Sequence, residues 1–346
     1  MPNFDIVIVG GGFCGVHVAK QIEKKLPKVT AALIDHKEFF EFTPAVPKIV
    51  TDPAHVNKIR VPYARLFKRV SFIKTELLSV SPARVRTKQG EFSFKYLVIA
   101  TGSKYPAPAG TSALKSSEDA LKLNQKLAGA SSVMIIGGGL VGTELAGELV
   151  TKTDKKVTLL EPSQRILGRN TERASSWAQN YLTMNGCDII FGERVNKASA
   201  KSVTTSHGVR KADVIVWCAG IKSESGFLEG SLAGEVDERK SIKVNEFLQV
   251  RNHPNIFCGG DINTVHEEKT AQNADRHARI IFHNIGVLIS GKGNLRPYAP
   301  RSGPLVISLG DWAGLFTFKN ILFKGIIPGI LKHAIEKLLL FQIRHL

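Results

Sequence analysis

One pattern is written twice in this chain, and it constrains the fold more than any other feature. Residues 4–35 (FDIVIVGGGFCGVHVAKQIEKKLPKVTAALID) and 132–161 (SVMIIGGGLVGTELAGELVTKTDKKVTLLE) share one order of parts. Each runs from an apolar stretch of strand length through three glycines and a helical stretch to a second apolar strand that closes on an acid. This is a strand-helix-strand unit, and two copies predict an α/β fold with two parallel sheets.

The glycine spacing has a physical reading. In Gly10-x-Gly12-x-x-Gly15, Gly10 allows the tight turn, Gly12 lets backbone N–H groups approach a pyrophosphate, and Gly15 lets helix and strand pack closely. The helix N-terminus then stabilises phosphate charge, and Asp35 is placed to accept bonds from an adenosine ribose. Gly137-x-Gly139-x-x-Gly142, followed by Glu144 and closed by Glu161, predicts a second dinucleotide site in the same way. An acid at Glu161 bonds a ribose 2′-hydroxyl and repels a 2′-phosphate, so NADH is favoured over NADPH, with Arg165 near enough to blunt the preference. Two dinucleotides in one chain of 346 residues imply electron transfer between them.

Composition narrows the class further. Hydrophobic residues at 43% and charged residues at 22% are ordinary for a globular protein and exclude disorder and collagen. The four cysteines, Cys14, Cys187, Cys218 and Cys258, form no close pair, so neither a zinc site nor a dithiol is expected and a reducing compartment is the default. No histidine spacing suggests a metal; His277 is singled out only for its place on a helix expected near the cofactor. No apolar run reaches the length of a membrane span, and the first strand begins at Phe4, too early for a cleavable signal. A cytoplasmic location, peripheral on a membrane surface, is the expectation.

Between the two units, residues 70–100 alternate and suit an antiparallel meander. Beyond the second unit, a helix stopped at Gly186 precedes strands at 187–195, 202–208 and 212–220, a strand pair within 241–261, and a long helix over 271–289. The expected architecture is two Rossmann-type three-layer domains, the second inserted in the first. The first comprises 1–108 and 241–296, the second 109–240, and a C-terminal region covers 297–346.

With these motifs in view the chain resembles the flavoproteins with two dinucleotide-binding domains. YLVIATGS (96–103), VIVWCAGI (214–221) and NIFCGGDI (255–262) fit that pattern alongside the paired glycine loops. Within that superfamily it is most similar to type II NADH:quinone oxidoreductases and the apoptosis-inducing-factor-like, ferroptosis-suppressor group. FFEFTPAVPKIV (39–50) stands where disulfide reductases carry a redox cysteine pair. The resemblance implies an FAD-dependent NAD(P)H:quinone oxidoreductase, passing a hydride from NADH to FAD N5 and two electrons on to a membrane quinone. It implies that Gly10, Gly12, Gly15 and Asp35 hold FAD, with Thr101, Gly102 and Ala271 near it and Asp261 at its ribityl-pyrophosphate region. Gly137, Gly139, Gly142 and Glu161 hold NADH, and Glu144 and Gln272 serve the reaction, Glu144 by the nicotinamide. The helix after Thr270 is expected to turn its positive end to the flavin. The quinone reductases often read AQxAxQ there, whereas this chain reads Ala271-Gln272-Asn273-Ala274-Asp275-Arg276 followed by His277-Ala278, closer to the ferroptosis-suppressor group.

Charge and the C-terminal tail bear on partners. Lys and Arg outnumber Asp and Glu by 47 to 30, a net +17, with ten basic residues in 55–95 against Glu76 and Glu91. Such a surface attracts anionic lipid, nucleic acid or anionic cofactors. No base-reading motif is present, so specific nucleic-acid binding is not expected. In the tail, Ile327, Leu331, Ala334, Ile335, Leu338 and Phe341 fall at helical spacing, broken by Lys332, His333, Lys337 and Arg344. A basic amphipathic helix suits a membrane interface and lies outside both dinucleotide units; the alternative is a helix packed on its own domain or across a homodimer. Competing readings of the whole chain are an NADH-dependent reductase of a small protein or radical acceptor, and a basic, NADH-responsive nucleic-acid or membrane-binding flavoprotein.

Overall fold

The strand Asn3–Val9 lies inside the first sheet of the computed structural model, which describes residues 2–345. Across that sheet the order is Gln249–Val250, His253–Cys258, Gly90–Ile99, Asn3–Val9, Ala31–Asp35 and Ser71–Lys74. All neighbours are parallel except the first two. Ile6, Val7 and Ile8 are fully buried, with Ile6 and Ile8 in one apolar cluster and Val7 and Val9 in another. Successive side chains leave opposite faces of a strand, so a run apolar at every position is stable only where both faces are covered.

The meander expected over 70–100 is correct in part. Leu77–Val80, Arg84–Thr87 and the first half of Gly90–Ile99 pair antiparallel. Ser71–Lys74 instead runs parallel to Ala31–Asp35, and the second half of Gly90–Ile99 runs parallel to Asn3–Val9. The cause lies in Leu97, Val98 and Ile99, three adjacent apolar residues that need cover on both faces.

The second sheet, with order Ser112–Ala113, Val214–Trp217, Ser132–Ile136, Lys156–Glu161 and Cys187–Phe191, is parallel throughout. Its strands all come from chain between Ile99 and Gln249, so the second sheet is threaded between two pieces of the first. A helix ends ahead of Gly186, whose φ of +90° suits glycine at a helix exit.

The C-terminal region begins with three antiparallel strands, Leu305–Ser308, Gly314–Phe318 and Ile321–Gly325, and ends in the helix Ile326–His345. The helix takes Pro328-Gly329 into its first turn, because proline is tolerated there, where its missing N–H has no partner to lose. Its buried face carries Pro328, Gly329, Glu336, Leu340 and Ile343, while Ile326, Ile327, Ile330, Leu338 and Phe341 are exposed. The Arg344 guanidinium donates to the Lys58 carbonyl at 2.8 Å, and Lys20 Nζ donates to the Gln342 carbonyl at 3.2 Å. The tail is therefore docked on the body by Leu340 and Ile343 together with Pro328, Gly329 and Glu336, and turns a second set of apolar residues outward. Among the described residues no helix is long and apolar enough to cross a membrane.

Candidate functional site

Both glycine loops are built alike. Gly10 and Gly137 hold φ of +100° and +105°, and a Cβ on Gly10 would overlap the backbone of Ala100 and Thr101. A Cβ on Gly15 or Gly142 would overlap the carbonyl oxygen of Gly10 or Gly137, which is the close helix–strand approach expected of the third glycine. Over Gly12 and Gly139 nothing lies within 4 Å of such a Cβ. These two open positions are the N-caps of the helices Phe13–Lys25 and Leu140–Lys152, which have no side-chain cap and no acid in their first turns. Other helices differ: Ser116, Thr171 and Thr270 each cap their own helix through a side chain. Uncapped N–H groups and an uncompensated dipole in front of a cleared space form a cradle for a pyrophosphate, and the chain has two.

The terminal acids support the loops. Asp35 accepts from Gly11 N at 2.6 Å and Lys37 N at 2.8 Å; Glu161 accepts from Gly138 N at 2.8 Å and Ser163 N at 3.0 Å. A carboxylate has about four lone-pair sites, so each keeps acceptor capacity for a ribose hydroxyl. Arg165 is turned aside, donating to the Gly168 carbonyl at 2.7 Å.

Thr101 and Gly102 follow the strand Gly90–Ile99 against Gly10, and Gly102 takes φ +79° with open space above it. Asp261 sits in the turn Gly260–Ile262, accepting from Ser103 Oγ at 2.7 Å and Lys115 Nζ at 3.2 Å. Burial pushes its carboxyl up, but Lys115 and the Ser103 hydrogen bond outweigh this and hold it below the ordinary range. His277 supports the same turn as a buried core histidine. Its Nδ1 accepts from Gly260 N at 3.0 Å, and its Nε2 lies 2.9 Å from Glu267. Ala271 opens the long helix Ala271–Ser290, and Gln272 beside it donates to the Pro304 carbonyl at 3.0 Å. Gln272 shares no hydrogen-bond partner with Glu144 among the described residues.

Glu144 is not a free acid. It is buried in the second glycine helix and accepts from Ser308 N at 3.0 Å and from Lys332 Nζ at 2.7 Å. Lys332 belongs to the C-terminal helix, and the two side chains are only 8% and 15% exposed. This corrects the expectation that the tail stands apart from the redox machinery, since its inner face forms one wall of the site. The residues 188 positions apart carry no spacing signal that would have paired them. Around them Lys152 bonds Glu148 at 2.7 Å and Asp311 at 2.9 Å, and Thr51 donates to Glu148 at 2.8 Å.

All four cysteines are buried and unpaired. Burial pushes the Cys187 and Cys218 thiols up to about 12 and those of Cys14 and Cys258 higher still, so none is a thiolate at neutral pH.

Two dinucleotide cradles on two parallel sheets, with no cysteine pair, define a two-cofactor oxidoreductase that does not work through a protein disulfide. The chain belongs to the pyridine nucleotide-disulphide oxidoreductase family, whose pattern matches residues 4–278, and it uses FAD and a nicotinamide dinucleotide. It is 30% identical over 344 residues to apoptosis-inducing factor homolog B of Dictyostelium discoideum, covering 90% of this chain and 88% of that protein. Ferroptosis suppressor protein 1 of Xenopus laevis is 26% identical, with 91% and 88% covered. Among solved structures, NDH2 from Plasmodium falciparum in complex with NADH superposes with a TM-score of 0.86 at 15% identity, covering 99% of this chain and 97% of that one. The sulfide:quinone oxidoreductase of Aquifex aeolicus gives 0.85 at 22% identity, with 99% and 92% covered. At these identities the two solved structures speak for the fold alone.

Proposed function

We propose that the protein is an FAD-dependent NADH:quinone oxidoreductase, in which the first cradle takes FAD, the second takes NADH, and the acceptor is a membrane quinone. The observation that carries this reading is the buried Glu144–Lys332 pair. It joins the helix of the nucleotide cradle to the helix whose outer face is apolar. Bound FAD would supply the two-electron chemistry between NADH and the acceptor, as hydride acceptor at N5. The protein contributes position and charge. The helix ends at Gly12 and Gly139 would hold the pyrophosphates, Asp35 and Glu161 the riboses, and Asp261 the region between FAD's ring and its phosphates. Lys332 holds a proton on Nζ beside Glu144, where a quinone oxygen gaining charge is met by a donor. Anaerobic NADH is expected to bleach the flavin absorbance of the purified protein, and a soluble quinone to restore it. A flavin that NADH leaves oxidised refutes the assignment.

Coenzyme choice follows from Glu161. kcat/KM is expected to be higher for NADH than for NADPH, and Glu161→Ser to narrow the gap by removing repulsion of the 2′-phosphate. A wild type that prefers NADPH would show that Glu161 does not face the ribose.

The outer face of the tail supports peripheral membrane contact. Ile327, Ile330, Leu338 and Phe341 are exposed along it, with Phe323 and Trp312 nearby in sequence and also exposed. At its far end a cavity of about 440 Å³ is lined by Arg60, Arg65, Arg344 and His345, suited to anionic headgroups. Because truncation would also remove Lys332, the test is Ile327→Glu with Leu338→Glu. Co-sedimentation with anionic liposomes should fall while flavin content and soluble-quinone turnover persist. Salt should weaken wild-type binding, since charge attraction is screened over about 8 Å at physiological ionic strength. Unchanged liposome binding by the folded double variant contradicts the assignment.

A further inference from the structure

Quinone reduction by NADH consumes a proton. The hydride supplies two electrons and one proton of the quinol, and the second proton comes from water. Glu144, Glu148 and Lys332 are shielded from solvent, so that proton needs a built route. We infer that Asp52, His55 and Glu336 form this route, delivering protons from solvent to the Lys332–Glu144 pair. The inference rests on the quinone reading above.

The three side chains stand in sequence from the surface inward, and both His55 ring nitrogens are buried without a formed hydrogen bond among the described residues, free to take and give a proton. Asp52 is open to solvent, with 40% of its side chain exposed, and its Oδ2 lies 3.9 Å from His55 Nδ1, so a small rotation of the carboxylate brings the two into hydrogen-bond reach. His55 is buried, and its Nε2 lies 2.8 Å from Glu336 Oε1 on the inner face of the C-terminal helix. Glu336 is one helical turn from Lys332. Beside both lies a cavity of about 20 Å³ lined by Glu144, Glu148, Lys332, His333, Glu336 and Lys48, among others. A polar space of this size holds about one water, since roughly 10–15 Å³ suffices. A water there would link Glu336 to the Lys332–Glu144 pair.

The transfer balances without any other reactant. Asp52, protonated from solvent, loses its O–H as an N–H bond forms at His55 Nδ1; the N–H at Nε2 breaks as an O–H forms on Glu336, and that O–H breaks as a proton passes through a water in the cavity to the pair. Lys332 loses an N–H bond as the quinol O–H forms, and is reprotonated along the same line. Imidazole suits this role because its two nitrogens exchange donor and acceptor roles. Other charges face the line: Lys48, paired with Asp311 at 3.3 Å; His333 on the tail helix; and Glu148 with Lys152. Burial raises the Glu336 carboxyl, but the neighbouring His55 and Lys48 outweigh this and hold it below its ordinary value. Burial and then Lys48 hold His333 below its own.

A merely structural role for His55 and Glu336 would dock the tail and nothing more. The test compares the FAD-loaded wild type, Glu336→Gln, His55→Ala and Asp52→Asn with NADH and two acceptors: a soluble quinone, whose reduction needs the proton, and ferricyanide, whose reduction does not. Flavin content and Tm are recorded for each, and proton uptake during a single quinone turnover is followed with an indicator dye. With flavin retained, Glu336→Gln and His55→Ala should slow quinone turnover and dye-reported uptake about tenfold, a fraction of what general acid catalysis typically contributes. The solvent deuterium effect should rise, ferricyanide turnover should stay within about twofold, and imidazole should restore His55→Ala. Asp52→Asn, at an exposed position where folding is not at stake, should slow quinone turnover mainly at high pH. Equal loss with both acceptors, or no loss with either, overturns the relay. A wild type that reduces ferricyanide but no quinone overturns the functional reading instead, and does so in a different arm of the experiment.

Discussion

Lys332→Met is expected to lower quinone turnover by roughly 100-fold with FAD still bound, since a positioned proton donor typically contributes about 10²–10⁴-fold. The substitution keeps the apolar stem and removes the ammonium that lies 2.7 Å from Glu144. It also leaves a buried carboxylate with only Ser308 as a partner, so the melting midpoint should fall, breaking one side of a buried pair costing about 3–5 kcal/mol. Glu144→Gln with Lys332→Met should recover part of that stability, because no unpaired charge is left, while turnover stays low. The two effects in kcat should be strongly non-additive, as for residues acting as one unit. Wild-type turnover by a flavin-loaded Lys332→Met protein would show that the pair only holds the tail in place.

The second large effect separates the two cradles. Leucine at Gly12 or Gly139 meets no protein atom within 4 Å of its Cβ, so the fold should tolerate it, yet the side chain fills the space in front of an uncapped helix. Gly12→Leu should give a folded, colourless protein that takes up no FAD. Gly139→Leu should remain yellow and show an NADH KM raised about 100-fold, equivalent to roughly 2.7 kcal/mol. Gly15→Ala and Gly142→Ala are a contrasting pair, because there the added Cβ overlaps a backbone carbonyl and folding itself should suffer. If Gly139→Leu loses flavin and Gly12→Leu loses only NADH affinity, the cofactors are assigned the wrong way round.

Both strand-helix-strand units are legible in the residues because their determinants are local. A strand apolar at every position, a glycine at each of three fixed offsets and an acid at the next strand end all act within about thirty residues, the size of one such unit. The long helix from Ala271 and the helix stopped at Gly186 are legible for the same reason. What was not legible lies between elements far apart in sequence: Glu144 with Lys332, Glu336 with His55, Asp261 with Lys115. The tail shows the difference most clearly. Its spacing predicts an amphipathic helix, and the exposed face agrees, but Lys332 reads in sequence as one of the interruptions of the apolar stripe, and Glu336 carries no signal there. In the fold they are its inner face, charged because Glu144 and His55 wait there. Likewise the alternation in 70–100 reads as one meander, and only the neighbouring strands decide which half pairs parallel.

Delivery of electrons from NADH to a quinone is the activity on which the other expectations depend. Its most direct test is the steady-state kcat/KM of the yellow protein with NADH across a water-soluble quinone, a long-tailed quinone in liposomes, and a small acidic redox protein. Vigorous turnover is expected with both quinones, the long-tailed one depending on the exposed face of the C-terminal helix, and little with the protein acceptor. Turnover confined to the protein acceptor, or none with any quinone while the flavin is reduced by NADH, would contradict it.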